Sequence, residues 1–120
     1  MLIQEGYKIC LLGGSWDDLT RSLEYEFSSK DCLSLVGQTT FQEVCAVQKM
    51  LSFYIGFCSG LGIIRTVLGL PTIMLFPEHL QCIMDSWADP EDLESRRYIP
   101  LTYRETKEVF KALKRQEGLL

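Results

Sequence analysis

Histidine is nearly absent: His79 is the only one in 120 residues. A metal or acid–base site built on imidazole has almost nothing to draw on. Cys10, Cys32, Cys45, Cys58 and Cys82 include no Cys-x-x-Cys pair, and their count is odd. That pattern excludes a disulfide framework and a zinc ribbon. It reads as free, buried thiols in a reducing cytoplasm. Basic residues are in the minority, 12 against 16 acidic ones, and they form no stripe. Duplex nucleic acid is therefore not an expected partner. A membrane-spanning helix needs about 20 uninterrupted apolar residues. The apolar stretch over residues 50–76 is cut by Arg65, by glycine turns and by Pro71. Residues 1–6 carry neither a basic n-region nor an apolar core, so no signal peptide is expected. Two phosphate-binding fingerprints are also missing. No Walker A motif occurs, and Gly60-Leu61-Gly62 lacks the third glycine of G-x-G-x-x-G because Arg65 stands there.

What the chain does have is an alternation of short apolar runs and helical patterns. Residues 7–12 read as a strand buried on both faces and ending at Gly13-Gly14. Ser15 with Asp17 and Asp18 predicts a helix start, and Leu19, Leu23 and Phe27 follow at helical spacing. Residues 32–36 predict a second strand. Thr40-Phe41-Gln42-Glu43 has the capping-box pattern, ahead of a helix with Val44, Val47 and Leu51 on one face. Residues 53–57 and 72–76 predict two more buried strands, joined by a Ser-Gly turn, a helix over 60–68 and a Gly-Leu-Pro break. A short helix through Met84 and an acidic loop or helix start at Asp89-Pro90 follow. A second capping box, Thr102 to Glu105, opens a closing helix with Thr106, Val109, Phe110 and Leu113 on one face. The expected fold is α/β: one Rossmann-like, three-layer domain over residues 1–120, with a mostly parallel sheet of four or five strands.

Ligands of such sheets bind beyond the carboxyl ends of the strands. Three glycine-bearing loops fall there: Gly13-Gly14-Ser15-Trp16, Gly37-Gln38-Thr39-Thr40 and Cys58-Ser59-Gly60-Leu61-Gly62. Each is also an ordinary tight turn, but three on one edge favour a nucleotide or phosphate site. The third loop opens a helix, where unpaired N–H groups and the helix dipole attract anions. Arg65 lies one turn further on and either reaches a phosphate or packs against a neighbouring element. Asp17 and Asp18 either meet a ribose or serve as helix-start acids. His79 lacks a partner in sequence. Trp16 and Trp87 read as packing residues rather than a base-stacking platform.

These residues resemble a known family. Leu11-Leu12-Gly13-Gly14, Leu35-Val36-Gly37-Gln38-Thr39-Thr40, Ile55-Gly56-Phe57-Cys58-Ser59-Gly60 and Leu68-Gly69-Leu70-Pro71 stand in the order seen in the C-terminal, donor-binding domain of GT-B glycosyltransferases. The heptosyltransferase-like members, glycosyltransferase family 9, are the most similar. The resemblance covers about residues 7 to 80 and implies a nucleotide-diphosphate-sugar ligand. Carried over by position, Cys58, Ser59, Gly60, Leu61 and Gly62 hold the diphosphate, largely through backbone N–H groups. Gly13, Gly14, Asp18, Gln38 and Thr39 border the nucleoside, with Asp18 at the ribose and Gln38 and Thr39 at the base. No metal or other cofactor is expected, since the nucleotide-sugar is substrate. In the family turn Gly-Asn-Asp-Ser-Gly-x-x-His, Cys58 replaces the aspartate and Ile63 the histidine.

The resemblance also implies a preceding acceptor-binding domain that this sequence lacks. The expected activity is thus the donor half of a glycosyl transfer in glycan or lipopolysaccharide-type synthesis, completed by a companion domain or chain or a second copy. The expected place is the cytoplasm, peripheral at most to the inner membrane face. Two other readings compete. One is a non-catalytic α/β interaction module derived from a glycosyltransferase, suggested by Cys58 and Ile63. The other is a receiver-like domain, which needs an aspartate where Phe57-Cys58 stands.

Overall fold

The computed structural model of the chain describes residues 2–14 and 30–119. The helix expected after Ser15, with Trp16, Asp17 and Asp18, lies outside the described residues. The chain divides into two compact units, Met1–Ala46 and Val47–Leu120.

The first unit opens with a 3₁₀ turn, Ile3–Glu5, and holds a parallel pair, β1 (Ile9–Leu11) and β2 (Cys32–Ser34). The pairing runs on past the strands: Leu35 N–H donates to Leu11 O and Gly37 N–H to Gly13 O, both at 2.9 Å. Leu11 and Val36 are buried. Gly37 turns the chain at φ +69°, a conformation glycine adopts without penalty. Helix α1 (Phe41–Met50) follows. Its capping box is formed as the sequence predicts. Thr40 N–H donates to Glu43 Oε1 at 2.9 Å, and Glu43 N–H donates to Thr40 Oγ1 at 3.2 Å.

The second unit is built on a three-stranded parallel sheet in the order β3 (Ile55–Phe57), β4 (Thr72–Phe76), β5 (Tyr98–Thr102). Helix α2 (Gly60–Val67) crosses from β3 to β4 and packs on both. Alternation puts Thr72, Met74, Phe76 and Tyr98 on one face, and Ile73, Ile99 and Leu101 on the other. All seven are buried. A 3₁₀ segment, Glu78–Trp87, lays Leu80, Met84 and Trp87 against Met74, Phe76 and Tyr98. Trp87 is thus the packing residue its sequence suggests. A one-turn helix α3 (Pro90–Glu94) leads to β5.

Strand β5 is the element the sequence hides, because Pro100 interrupts its apolar run. Thr72 N–H donates to Arg97 O at 2.8 Å, so the odd-numbered residues face β4. Pro100 therefore faces outward on an edge strand, where no N–H is required. A 3₁₀ segment (Tyr103–Glu108) and helix α4 (Val109–Glu117) close the chain. The second capping box is present, with Thr102 N–H donating to Glu105 Oε1 at 3.0 Å. The buried stripe of α4 is Ala112, Leu113 and Gln116. The expected stripe is corrected there: Thr106 is exposed because it lies in the 3₁₀ segment, before α-helical spacing begins. The fold is α/β and Rossmann-like, with parallel sheets of two and three strands.

Candidate functional site

The carboxyl end of β3 carries the informative loop. Cys58 N–H is held by Leu75 O at 3.1 Å, the last ladder bond of the strand. Ser59 is extended (φ −133°, ψ 175°) and takes the N-cap position of α2. Ile63 N–H to Ser59 O, at 3.0 Å, is the first bond of the helix. The N–H groups of Gly60, Leu61 and Gly62 precede it and have no acceptor within the helix. A serine here ordinarily caps one of them. This serine does not: it makes no side-chain cap bond, and its hydroxyl lies beside the Tyr54 phenol, where it favours the phenolate. Ser59 and Gly60 are exposed, while Gly62 is buried. The result is a solvent-facing helix N-terminus with an uncapped first turn.

Three contacts fix that loop. The Tyr54 ring crosses over Gly56, where an added Cβ would stand 2.5 Å from Tyr54 Cζ. At Gly62 an added Cβ would meet Met74 Cε at 2.6 Å and Phe57 O at 3.2 Å, so glycine lets α2 approach the sheet. At Gly60 an added Cβ meets nothing within 4 Å; that position opens to solvent. Burial raises the Tyr54 phenol above its ordinary range, opposed by the nearby Ser59 hydroxyl and by the Arg65 charge.

Arg65 does not reach the loop. It is fully buried, and all five of its N–H groups go to backbone carbonyls. Nη1 donates to Gln48 O (2.6 Å) and Leu51 O (3.0 Å). Nη2 donates to Pro71 O (2.7 Å) and Ser52 O (3.3 Å), and Nε to Pro71 O (3.2 Å). These are the orphan carbonyls at the end of α1 and the Gly-Leu-Pro break. Burial lowers the guanidinium to about 10, so it stays charged at neutral pH. Of its two roles open in the sequence, the structure selects packing. Gln48, also buried, donates its Nε2 to Leu61 O at 3.2 Å and so ties α1 to the first turn of α2.

The remaining expected site residues lie in the first unit. Gly13 stands beside Gly37 through their backbone bond. Gln38 is exposed, and its amide turns back to donate to Ser34 O at 3.4 Å. Gly14 and Thr39 are half-buried, and Asp18 lies outside the described residues. His79 is exposed. None of the five thiols is fully buried: four are half-buried, Cys82 is exposed, and none is in a disulfide. The apolar runs around them misled because the strands are short and only partly covered. Burial, with Cys32 nearby, raises the Cys10 thiol. Among the described residues no helix is long and apolar enough to cross a membrane.

Sequence reasoning missed two features at this edge. The first is Tyr54, whose ring crosses Gly56 and whose phenol lies beside Ser59. The second is the aromatic pair Phe57 and Tyr103, whose rings meet edge-to-face at 5.6 Å and 80°. An aromatic residue at a strand's last position was the available signal for Phe57. Elsewhere in this unit an open groove of about 1190 Å³ runs beside β5, lined by Met84, Leu93, Arg96 and Lys111 among others, and none of residues 58–62 contributes to it.

No curated protein and no solved structure matches the chain. The family model of glycosyltransferase family 9 (heptosyltransferase) matches residues 1–108. That span takes in the first unit, the second as far as Glu108, and every loop described above. The chain belongs to glycosyltransferase family 9.

Proposed function

We propose that this chain binds the nucleotide-diphosphate-sugar donor of a glycosyl transfer, with the diphosphate seated on the first turn of α2. The uncapped N–H groups of Gly60, Leu61 and Gly62 carry this reading. They point from the carboxyl edge of a parallel sheet, in a family whose members transfer glycosyl groups. Backbone donors serve here because the protein has few cations to spare at net charge −4. Cys58 contributes its backbone position, not a carboxylate. Replacing an aspartate by a thiol removes a like charge from the path of a diphosphate. Gly13 and Gly14 and the Gln38–Thr39 turn are the nucleoside-side residues that the resemblance implies. A companion domain, a second chain or a second copy supplies the acceptor and the base for the transfer, in the cytoplasm. A donor held by backbone N–H groups requires no metal.

Binding is tested with nucleoside diphosphates and inorganic phosphate as ligands. ADP, UDP, GDP or CDP should raise the melting temperature by several degrees, because a ligand of the native state stabilises it by mass action. The amides of residues 59–63 should gain protection from hydrogen exchange. A flat screen and unprotected amides at millimolar ligand would leave the second reading, a non-catalytic interaction module. The loss of polar side chains at Cys58 and Ile63 is the observation that favours that alternative.

A further inference from the structure

Gln48 is 0% exposed and lies in the same compact unit as α2. Its side-chain Nε2 donates to Leu61 O at 3.2 Å, and its backbone carbonyl accepts from Arg65 Nη1 at 2.6 Å. One residue of α2 thus holds Gln48, and Gln48 holds another. Among the described residues, its Oε1 is buried without a hydrogen-bond partner. An orphaned buried acceptor destabilises a fold. The bond that Nε2 makes is also not one the fold requires. Within α2 the Leu61 carbonyl already serves the Arg65 N–H, four residues on, so Gln48 occupies its second lone pair. A methionine or leucine at position 48 would fill similar space and leave no orphan.

The effect of that bond lies at the other end of the same peptide. The C=O and N–H of a trans peptide are coplanar and point in opposite directions. A hydrogen-bond donor fixed on Leu61 O therefore fixes the Gly62 N–H, which points toward the open first turn of α2. Gly62 is the third residue after the Ser59 N-cap, and a capping oxygen takes the N–H of the second or third residue. Accepting a bond at the carbonyl also polarises the peptide, so its N–H donates more strongly. We propose, resting on the diphosphate reading of that turn, that Gln48 is a positioning residue of the α2 anion site. Through Leu61 O it aims and strengthens the Gly62 N–H for a diphosphate oxygen, without touching the ligand.

Pyrophosphate is the probe. Added to the isotope-labelled wild-type chain, it should move the Gly62 amide proton downfield by more than those of Gly60 and Leu61. Gln48→Met and Gln48→Leu remove the hydrogen-bond donor and the orphan together. Both variants should melt at or above the wild-type temperature. Both should bind pyrophosphate about 2- to 5-fold more weakly by titration calorimetry, the scale of one weakened charge-assisted hydrogen bond. Without ligand, their Gly62 amide proton should lie upfield of its wild-type position. Lost affinity at kept stability is a split that a merely structural glutamine does not produce. Variants that keep the wild-type affinity overturn the role of Gln48 and leave the diphosphate reading standing. Where a variant melts low or fails to fold, the wild type decides. A pyrophosphate shift at Gly60 and Leu61 that passes over Gly62 overturns the role of Gln48 alone. No amide shift and no heat at millimolar pyrophosphate overturns both readings.

Discussion

Arg65 Nη1 lies 2.6 Å from the carbonyl oxygen of Gln48, at the carboxyl end of α1. Among the described residues this buried cation meets no carboxylate. It is neutralised by carbonyl dipoles from α1 and from the turn at Pro71. Cations suit a helix C-terminus for the same reason. Removing the guanidinium leaves at least two buried acceptors, Gln48 O and Pro71 O, without their donors, at roughly 1–3 kcal/mol each. Arg65→Met should therefore cost about 3 kcal/mol or more in urea denaturation. Arg65→Lys should fall between, since an ammonium keeps the charge but cannot span the fork of acceptors. A stability unchanged by Arg65→Met would show that these carbonyls are served by water.

The glycines of the α2 loop should separate by function. Gly62→Ala drives a methyl into Met74 Cε and Phe57 O. Overpacking of that kind costs about 1–3 kcal/mol. Gly60→Ala meets open space and should leave the melting temperature within a degree or two. A bulky side chain at position 60 should instead block ligand without unfolding the chain. Thermal melts of the three variants, with and without nucleoside diphosphate, check the division.

Much of this was legible in the sequence, for identifiable reasons. Both capping boxes carry their pattern locally, and Thr72–Phe76 is apolar, uninterrupted and bounded by Pro71 and Pro77. The loop that opens α2 was visible as Ser-Gly after an apolar run. Three features were not. Pro100 disguised β5, because its outward direction is set by register and not by composition. Arg65 had two roles open, phosphate contact and packing, and only its acceptors, 6 to 17 positions away in sequence, decide between them. The Tyr54 ring crosses Gly56, and no periodicity reports that.

Acid should weaken the start of α1. The Thr40 backbone N–H, and then its hydroxyl, hold the Glu43 carboxyl below its usual value of 4.5. A depressed carboxylate stabilises the folded state above its unfolded pKa, and that contribution is lost as pH falls through the folded value. The loss thus belongs below pH 4.5. An NMR titration of the Glu43 side chain should show the lowered midpoint. Glu43→Gln keeps a hydrogen-bonding partner for Thr40 and should remove the pH dependence of the Thr40 amide. A midpoint at the ordinary carboxylate value would mean the box is open in solution.

Tyr54 should govern the affinity of the α2 turn by competition. In the wild type the Ser59 hydroxyl lies beside this phenol and caps none of the first-turn N–H groups. Tyr54→Phe keeps the ring over Gly56 but releases Ser59. The serine is then free to cap the Leu61 or Gly62 N–H, as serines at this position do. A ligand anion must displace that cap, which is worth about 1 kcal/mol, or roughly fivefold in affinity. Pyrophosphate should therefore bind Tyr54→Phe about fivefold more weakly. Adding Ser59→Ala to Tyr54→Phe removes the competing hydroxyl and should restore wild-type affinity. That rescue separates competition from damage, because a second mutation cannot repair a misplaced loop. If Tyr54→Phe binds pyrophosphate as tightly as the wild type does, Ser59 is not held off the cap by the phenol. If the double variant stays weak, Tyr54 acts by shaping the loop.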